Sequence, residues 1–337
     1  MAKHLMRPLG RDSYPAGAAD YAPAILDAWL EIFPDSQPDE RDKEDWVENA
    51  CFIEAFHRLG IEHEILAETG GAWISASEDS IVSGKGEASF FHTGIRGLDH
   101  VTGIEHSLPL QGANCLEAVS RHASSPAFLE IAGRRMELVR PERQAMEEAI
   151  RRIVPEDGEI FVKTLKKEMA GRFAIRSGSS AWDQLCDQDE GIMWSMVQYE
   201  GNETPFFSVQ GVIEPTYEYR MFIVGNEPVC GAGCIEAYTP LNNEQLFDAK
   251  MEERRNHSQV TTQQDIVNRY IETAQAFGNR FAEENGKDIA YGLDLCIDAN
   301  TGKVAAIELN LPMNLGRYAS NIDAWVLAID RHLKEVA

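Results

Sequence analysis

The sequence predicts an α+β protein built on antiparallel strands, and three stretches carry that expectation. Tyr217–Val224 and Pro228–Ile235 are β-type runs on either side of Gly225-Asn226, a pair suited to a hairpin turn. Tyr291–Asp298 and Val304–Asn310 flank Ala299-Asn-Thr-Gly-Lys303 in the same manner. Between the two hairpins, Ile266–Glu284 shows the apolar spacing of a long amphipathic helix, ended near Gly286. Antiparallel strands with helices set apart in the chain are the mark of an α+β unit.

The remaining elements follow from the N-terminus. Residues 1–45 hold several prolines and the acidic run Pro38–Asp45, and read as irregular. Trp46–Leu59 is predicted helical, with Phe52, Ala55, Phe56 and Leu59 on one face and Gly60 as the stop. Residues 61–115 are glycine-rich and give short strands at Glu64–Leu66, Ala72–Ile74 and Ser89–Phe91. Glu142–Ile153 is a helix that follows Pro141. From Gly158 strands dominate, at Glu159–Leu165, Met193–Gln198 and Phe206–Ile213. Residues 242–260 read as a mobile loop, and Ile322–Leu333 as a last helix. A domain boundary is expected near residues 120–155.

Composition bounds the class. At 337 residues the chain is long enough for two domains, and 44% hydrophobic with 26% charged residues is ordinary for a soluble protein. No run approaches eighteen apolar residues, and the first ten lack the apolar core of a secretion signal. Six cysteines contain no Cys-x-x-Cys pair, which fits reduced thiols and a cytoplasmic location. A net charge of −24 opposes binding to extended nucleic acid or to an anionic membrane, since both need an electropositive surface. His92, His100 and His106 do not have zinc spacing, and there is no Gly-x-Ser-x-Gly elbow.

Chemistry concentrates in four places. If the last hairpin is symmetric about Thr301, Asp294 lies opposite Glu308, and Asn310 shares the face of Glu308. Facing carboxylates repel. A Mg²⁺ ion shared with substrate phosphates would relieve them, as would exposure on a solvated acidic edge. Lys163, in Ile160-Phe-Val-Lys-Thr-Leu165, is either an edge gatekeeper or a phosphate ligand. Lys166 to Ser180 is a local basic stretch ending in small residues, whose backbone N–H groups can cover polyphosphate. Arg220, in mid-strand with Glu218 on its face, either forms a structural pair or meets a phosphoryl group.

Together these pieces resemble the ATP-grasp superfamily over roughly residues 130–320. Its members run from a phosphate-binding lysine strand through a small-residue loop, an adenine-contacting hinge strand and an arginine strand to an Asp…Glu-x-Asn magnesium hairpin. This chain reads Phe161-Val-Lys163, the 166–180 loop, Val209-Gln-Gly-Val-Ile-Glu214, Glu218-Tyr-Arg220 and Asp294…Glu308-Leu-Asn310, in that order. The resemblance implies two α+β lobes of mainly antiparallel strands clasping a nucleotide, with an extra N-terminal α/β region. Residues 1–130 would be the substrate or accessory region and 131–337 the catalytic region.

By the resemblance, Lys163, with Lys166 or Lys167, would hold ATP phosphates. The backbone at 209–213, including Gln210 and Val212, would contact adenine, and Glu214 the ribose. Asp294, Glu308 and Asn310 would hold Mg²⁺, and Arg220 would steady an acyl-phosphate. The chain departs from many ligases of the group at Gly292, where a basic residue is usual, and Arg317 is the candidate to supply that charge. The implied activity is ATP- and Mg²⁺-dependent ligation of a small-molecule or peptide carboxylate to an amine or similar nucleophile. The alternatives are a phosphotransferase on the same cleft and a non-catalytic acidic binding protein.

Overall fold

Five segments of the chain alternate between two units in the computed structural model. Residues 1–114, 217–294 and 310–337 make the first unit, and residues 115–216 and 295–309 the second. The structure describes residues 3–6, 11–41, 43–69, 72–75, 89–91, 116–165, 169–233, 245–252, 260–310, 315–318 and 320–336. His92, His100, His106, Lys166 and Lys167 lie outside the described residues.

The first unit opens with β1 (Lys3–Met6), β2 (Ser13–Pro15), α1 (Ala18–Tyr21), α2 (Pro23–Ile32), β3 (Gln37–Asp39) and α3 (Lys43–Leu59). β4 (His63–Thr69), β5 (Ala72–Ser75) and β6 (Ser89–Phe91) then join β1 in a sheet ordered β5-β4-β1-β6. β1 runs parallel to β4 and β6, so this sheet is mixed. The predicted helix ending at Gly60 is present, and Gly60 stops it with φ 63°, a left-handed conformation that glycine adopts without a Cβ penalty. The irregular reading of residues 1–45 is corrected by α2. Its Pro23 sits at the first helical position, and Ile25, Leu26 and Trp29 bury one face against Trp46 and Phe56 of α3.

The second unit begins with α4 (Leu116–Ala123), α5 (Pro126–Ile131), β7 (Met136–Val139) and α6 (Arg143–Ile153). β8 (Gly158–Thr164), β9 (Ala170–Ile175), α7 (Ala181–Gln188), α8 (Glu190–Gln198) and β10 (Phe207–Gly211) follow. The sheet is antiparallel in the order β7-β10-β8-β9, with Lys163 opposite Ser208 and Phe161 opposite Gln210. Two sequence expectations change here. Met193–Gln198 is helical, because Asp189 caps the start of α8 through the Gly191 N–H, and Ile192, Ser195 and Met196 bury at helical spacing. The stretch 166–180 is not loop throughout, since residues 170–175 pair with β8 as β9.

The chain returns to the first unit through β11 (Pro215–Val224), β12 (Glu227–Gly233), β13 (Lys250–Glu252), β14 (Val260–Thr262) and α9 (Gln264–Asn285). The hairpin predicted around Gly225 is there, with Gly225 at φ 60°, and α9 ends as expected at Gly286. β13 and β14 pair with each other, so the loop expected over 242–260 contains strand. β15 (Ala290–Asp298) and β16 (Val304–Asn310) form the last hairpin, and α10 (Ile322–Val336) closes the chain. Each unit has its own apolar core. Trp29, Trp46, Phe56 and Trp325 anchor the first, and Ile150, Val162, Leu185 and Phe206 the second. Burying each of those side chains stabilises by about 1.5–3 kcal/mol. Among the described residues, no helix is long and apolar enough to cross a membrane.

Candidate functional site

In the first unit the site is built on neighbouring strands. β11 presents Arg220 and β15 presents Asp294, only 4% and 1% exposed. Burying either charge alone is costly, so the two are found as a bidentate pair. Arg220 donates from Nε to Asp294 Oδ1 and from Nη2 to Oδ2, both at 2.7 Å. Asn310 donates from Nδ2 to the same Oδ2 at 2.8 Å. The third arm of the guanidinium, Nη1, donates to the Gly316 carbonyl at 2.9 Å.

Gly292 has a steric account. A Cβ on it would run into the Leu315 side chain and lie 3.4 Å from Arg220 Cδ. The space a side chain would need is taken by Leu315, with the arginine of the adjacent strand in van der Waals contact beside it. Arg317 lies deeper. It is buried, its Nη1 donates to the Ser320 carbonyl at 3.3 Å, and its backbone N–H donates to Glu48 at 2.9 Å. Its charge acts against the burial that pushes the neighbouring Cys230 thiol well above its usual range.

In the second unit, β8 carries Lys163, whose Nζ donates to Glu308 Oε2 at 2.9 Å. The two side chains are 17% and 19% exposed, so the pair keeps some solvent screening. A cavity of about 30 Å³ adjoins them, walled by Met136, Leu165, Ile307 and Leu309. A space of that size holds about one water molecule. β10 ends at Gly211, whose N–H donates to the Arg135 carbonyl at 2.8 Å, and residues 212–214 leave the sheet. Val212 lies on this departing segment. Glu214 accepts from Arg172 of β9 at 2.6 Å, and its N–H donates to Asp298 at 3.1 Å.

Gln210 turns its side chain inward. Its Oε1 accepts from Arg134 Nε at 2.8 Å, and its Nε2 donates to Ser208 at 2.8 Å. Arg134 also donates from Nη1 to the Ala132 and Ala306 carbonyls, at 2.7 and 2.6 Å, and from Nη2 to the Ile307 carbonyl at 3.0 Å. One guanidinium thus bonds two successive carbonyls of β16, at 306 and 307.

The turn departs from symmetry about Thr301. Gly302, at φ 66°, donates its N–H to the Asp298 carbonyl, and the Asp298 N–H donates to Lys303. Two residues thus oppose one, a glycine bulge that moves the pairing by one position from the count made on the sequence. A wider space of about 550 Å³ is lined by Arg134, Arg135, Arg152 and Glu137. Its cations are already engaged, Arg152 by Glu137 and Arg134 by backbone carbonyls, so it is not where the chemistry gathers.

No family model matches the sequence, and no curated protein does. Solved structures do. D-cycloserine synthetase DcsG superposes with a TM-score of 0.52 at 12% identity, over 99% of this chain and 100% of that one. The ATP-grasp ligase PsnB, in its complex with a phosphomimetic variant of minimal precursor, Mg and ADP, gives 0.44 at 12%, over 98% and 96%. The likeness to DcsG gives this chain the ATP-grasp fold. D-alanyl-alanine synthetase A from Vibrio cholerae gives 0.48 at 13%, over 100% and 99%. At such identities the likeness is one of fold.

Within the ATP-grasp fold, two bonded groups join residues that the sequence singled out, Lys163 with Glu308 and Asp294 with Arg220 and Asn310. Arg134 is the residue that sequence reading missed. Gly133-Arg134-Arg135 carries no motif, and the arginine matters only because it reaches β16 across more than 170 positions.

Proposed function

We propose that this protein is an ATP- and Mg²⁺-dependent ligase that activates a carboxylate as an acyl-phosphate for attack by an amine or similar nucleophile. The observation that carries the reading is the bonding of Asp294. Its buried carboxylate is met by Arg220 and Asn310, residues 74 and 16 positions away, which are those the ATP-grasp resemblance assigns to phosphoryl and metal chemistry.

The donor set suits Mg²⁺. Asp294 and Glu308 supply hard carboxylate oxygens, and Asn310, which donates through Nδ2, has its amide oxygen as a further donor. Bound by these residues, Mg²⁺ would neutralise charge on the ATP phosphates.

Lys163 lies beside Glu308 and would pair a phosphate oxygen, with Lys166 or Lys167 as a second cation. The backbone at 209–213 would bond adenine where the chain leaves β10, with Gln210 held inward and Val212 on the outgoing segment. Met136, Leu165, Ile307 and Leu309 would part to admit the base, and Glu214 would accept from the ribose. Arg220, together with Arg317, would hold the transferred phosphoryl group by charge-assisted hydrogen bonds.

In the reaction, a substrate carboxylate oxygen bonds to the γ-phosphorus as the bond to ADP breaks. The amine nitrogen then attacks the acyl carbon, inorganic phosphate leaves and the amine loses a proton. Residues 1–130 would contribute to acceptor recognition, and residues 131–337 would carry the catalysis. The substrates are small-molecule or peptide carboxylates and amines.

The test supplies MgATP with panels of carboxylates and amines and follows ADP. Release that requires both substrates, with ¹⁸O passing from labelled carboxylate into phosphate, supports the ligase. AMP as product, or ADP release with a hydroxyl acceptor alone, overturns it. Protein that binds no MgATP at all would be a binding module.

A further inference from the structure

We propose that Tyr318 is a positioning residue for Arg220, holding the guanidinium in place through its aromatic face without cancelling its charge. The proposal rests on the reading that Arg220 meets the transferred phosphoryl group. The Tyr318 ring lies over the guanidinium, with Arg220 Cζ 4.8 Å from the ring centroid. That distance is within the range of a cation–π contact. Tyr318 also packs on the buried Ala232 of β12.

The backbone that delivers the ring is unusual. Tyr318 has φ 49°, and among the described residues only Tyr217 shares a left-handed conformation without being glycine. A bulky residue there is strained, and such strain persists only where surrounding contacts enforce it. Gly316, two residues earlier, lets the loop pass close to the arginine. A Cβ on Gly316 would lie 3.4 Å from Arg220 Nη1, 3.3 Å from Glu48 Oε1 and 3.7 Å from Tyr318 Cζ.

Arg220 therefore has two kinds of contact. Asp294 holds the Nε and Nη2 edge through charge, and in doing so offsets the positive charge. The Gly316 carbonyl and the Tyr318 ring hold it through a neutral acceptor and a quadrupole, and neither carries a formal charge. Whenever Asp294 turns an oxygen toward another cation, these two contacts keep the guanidinium in its plane and leave its charge to a phosphoryl group. Arginine is the cation suited to this, since its planar fork both stacks and donates.

The experiment compares Tyr318→Phe, Tyr318→Leu and Tyr318→Gly in the full chain. Steady-state ADP release is read as kcat and KM for MgATP, and melting is read without nucleotide. The glycine variant relieves the left-handed backbone while removing the ring, so it separates strain from stacking and keeps a folded sample available. Phe is expected to stay within about twofold of wild type, whereas Leu and Gly lose about tenfold in kcat with KM little changed. Leu and Gly turning over like wild type would overturn the proposal, and so would Phe failing as badly as Leu.

A wild-type protein that releases no ADP defeats the ligase reading and not this one. The clamp is then judged by the melting cycle of Tyr318→Leu with Arg220→Met. Losses smaller in the double variant than the sum of the singles support the contact, and additive losses refute it.

Discussion

Arg134→Met should unfasten β16 from the second unit. The guanidinium makes four hydrogen bonds, to Gln210, Ala132, Ala306 and Ile307. Bonds from a charged donor contribute about 1.5–3 kcal/mol each, or about 6–12 kcal/mol together. Against this stands the cost of burying the charge, which pulls the arginine from 12.5 down to about 10. At about 1.4 kcal/mol per pKa unit, that is about 3 kcal/mol. Bonds that share one rigid group do not add in full, and breaking a buried polar network usually costs about 3–5 kcal/mol.

Methionine leaves the Gln210 and backbone oxygens without this donor, so a loss of about 3–5 kcal/mol is expected. Hydrogen exchange reads it directly, as reduced protection of the amides in β16 and β10 relative to those of α9 in the other unit. Arg134→Lys, which keeps the charge but loses the fork, should recover only part of it. A loss under about 1 kcal/mol, or unchanged exchange in β16, would show that the four bonds do not hold the strand.

Burial pulls His4 in the first unit and His122 in the second down from 6.5 to about 4. Both fold neutral, so their stability is complete above about pH 6.5 and is lost as pH falls from 6.5 through 4, by about 3 kcal/mol each. Melting at pH 7.5 and pH 5 measures the slope, and His122→Asn should flatten it; an unchanged slope in that variant counts against the assignment. Gly278→Ala puts a Cβ 2.6 Å from the Asn226 carbonyl oxygen, so α9 must shift from the β11–β12 turn. A loss of about 1–3 kcal/mol in urea is expected, and a neutral result would mean the turn yields freely. Glu308→Gln removes the charge beside Lys163 and a proposed metal donor. Melting should stay near wild type while calorimetry shows MgATP binding weakened tenfold or more, and unaltered binding removes Glu308 from the site.

The sequence made the late elements legible because their signals are local. Gly225 and Gly286 punctuate β11, β12 and α9 where the turn residues predict. Met193–Gln198 is too short to show a decisive period, and only the Asp189 cap and the burial of Ile192 with Ser195 and Met196 settle it as helix. Helix α2 was hidden by its prolines, although Pro23 sits where a helix tolerates it.

In the candidate site, the residues themselves were readable, while their partners were not. Arg220 faces Glu218 in the sequence pattern, yet its fork closes on Asp294, because β15 lies beside β11 in the sheet and that neighbour is 74 positions away in the chain. Arg134 and Tyr318 gave no sequence signal at all, one acting through distant carbonyls and the other through a backbone angle.

The alternation of segments between the two units has a consequence for biosynthesis. Residues 115–216 are made early, but the unit they belong to is closed only by 295–309, after all of 217–294 has been translated. The first unit likewise waits for α10, which brings Trp325 to the core begun by α2 and α3. Neither core can be completed on a partial chain, so apolar faces of both stay uncovered through most of synthesis. Long-range closure of this kind slows folding and exposes intermediates to aggregation. Chaperone occupancy on the ribosome should therefore persist until the final helix emerges.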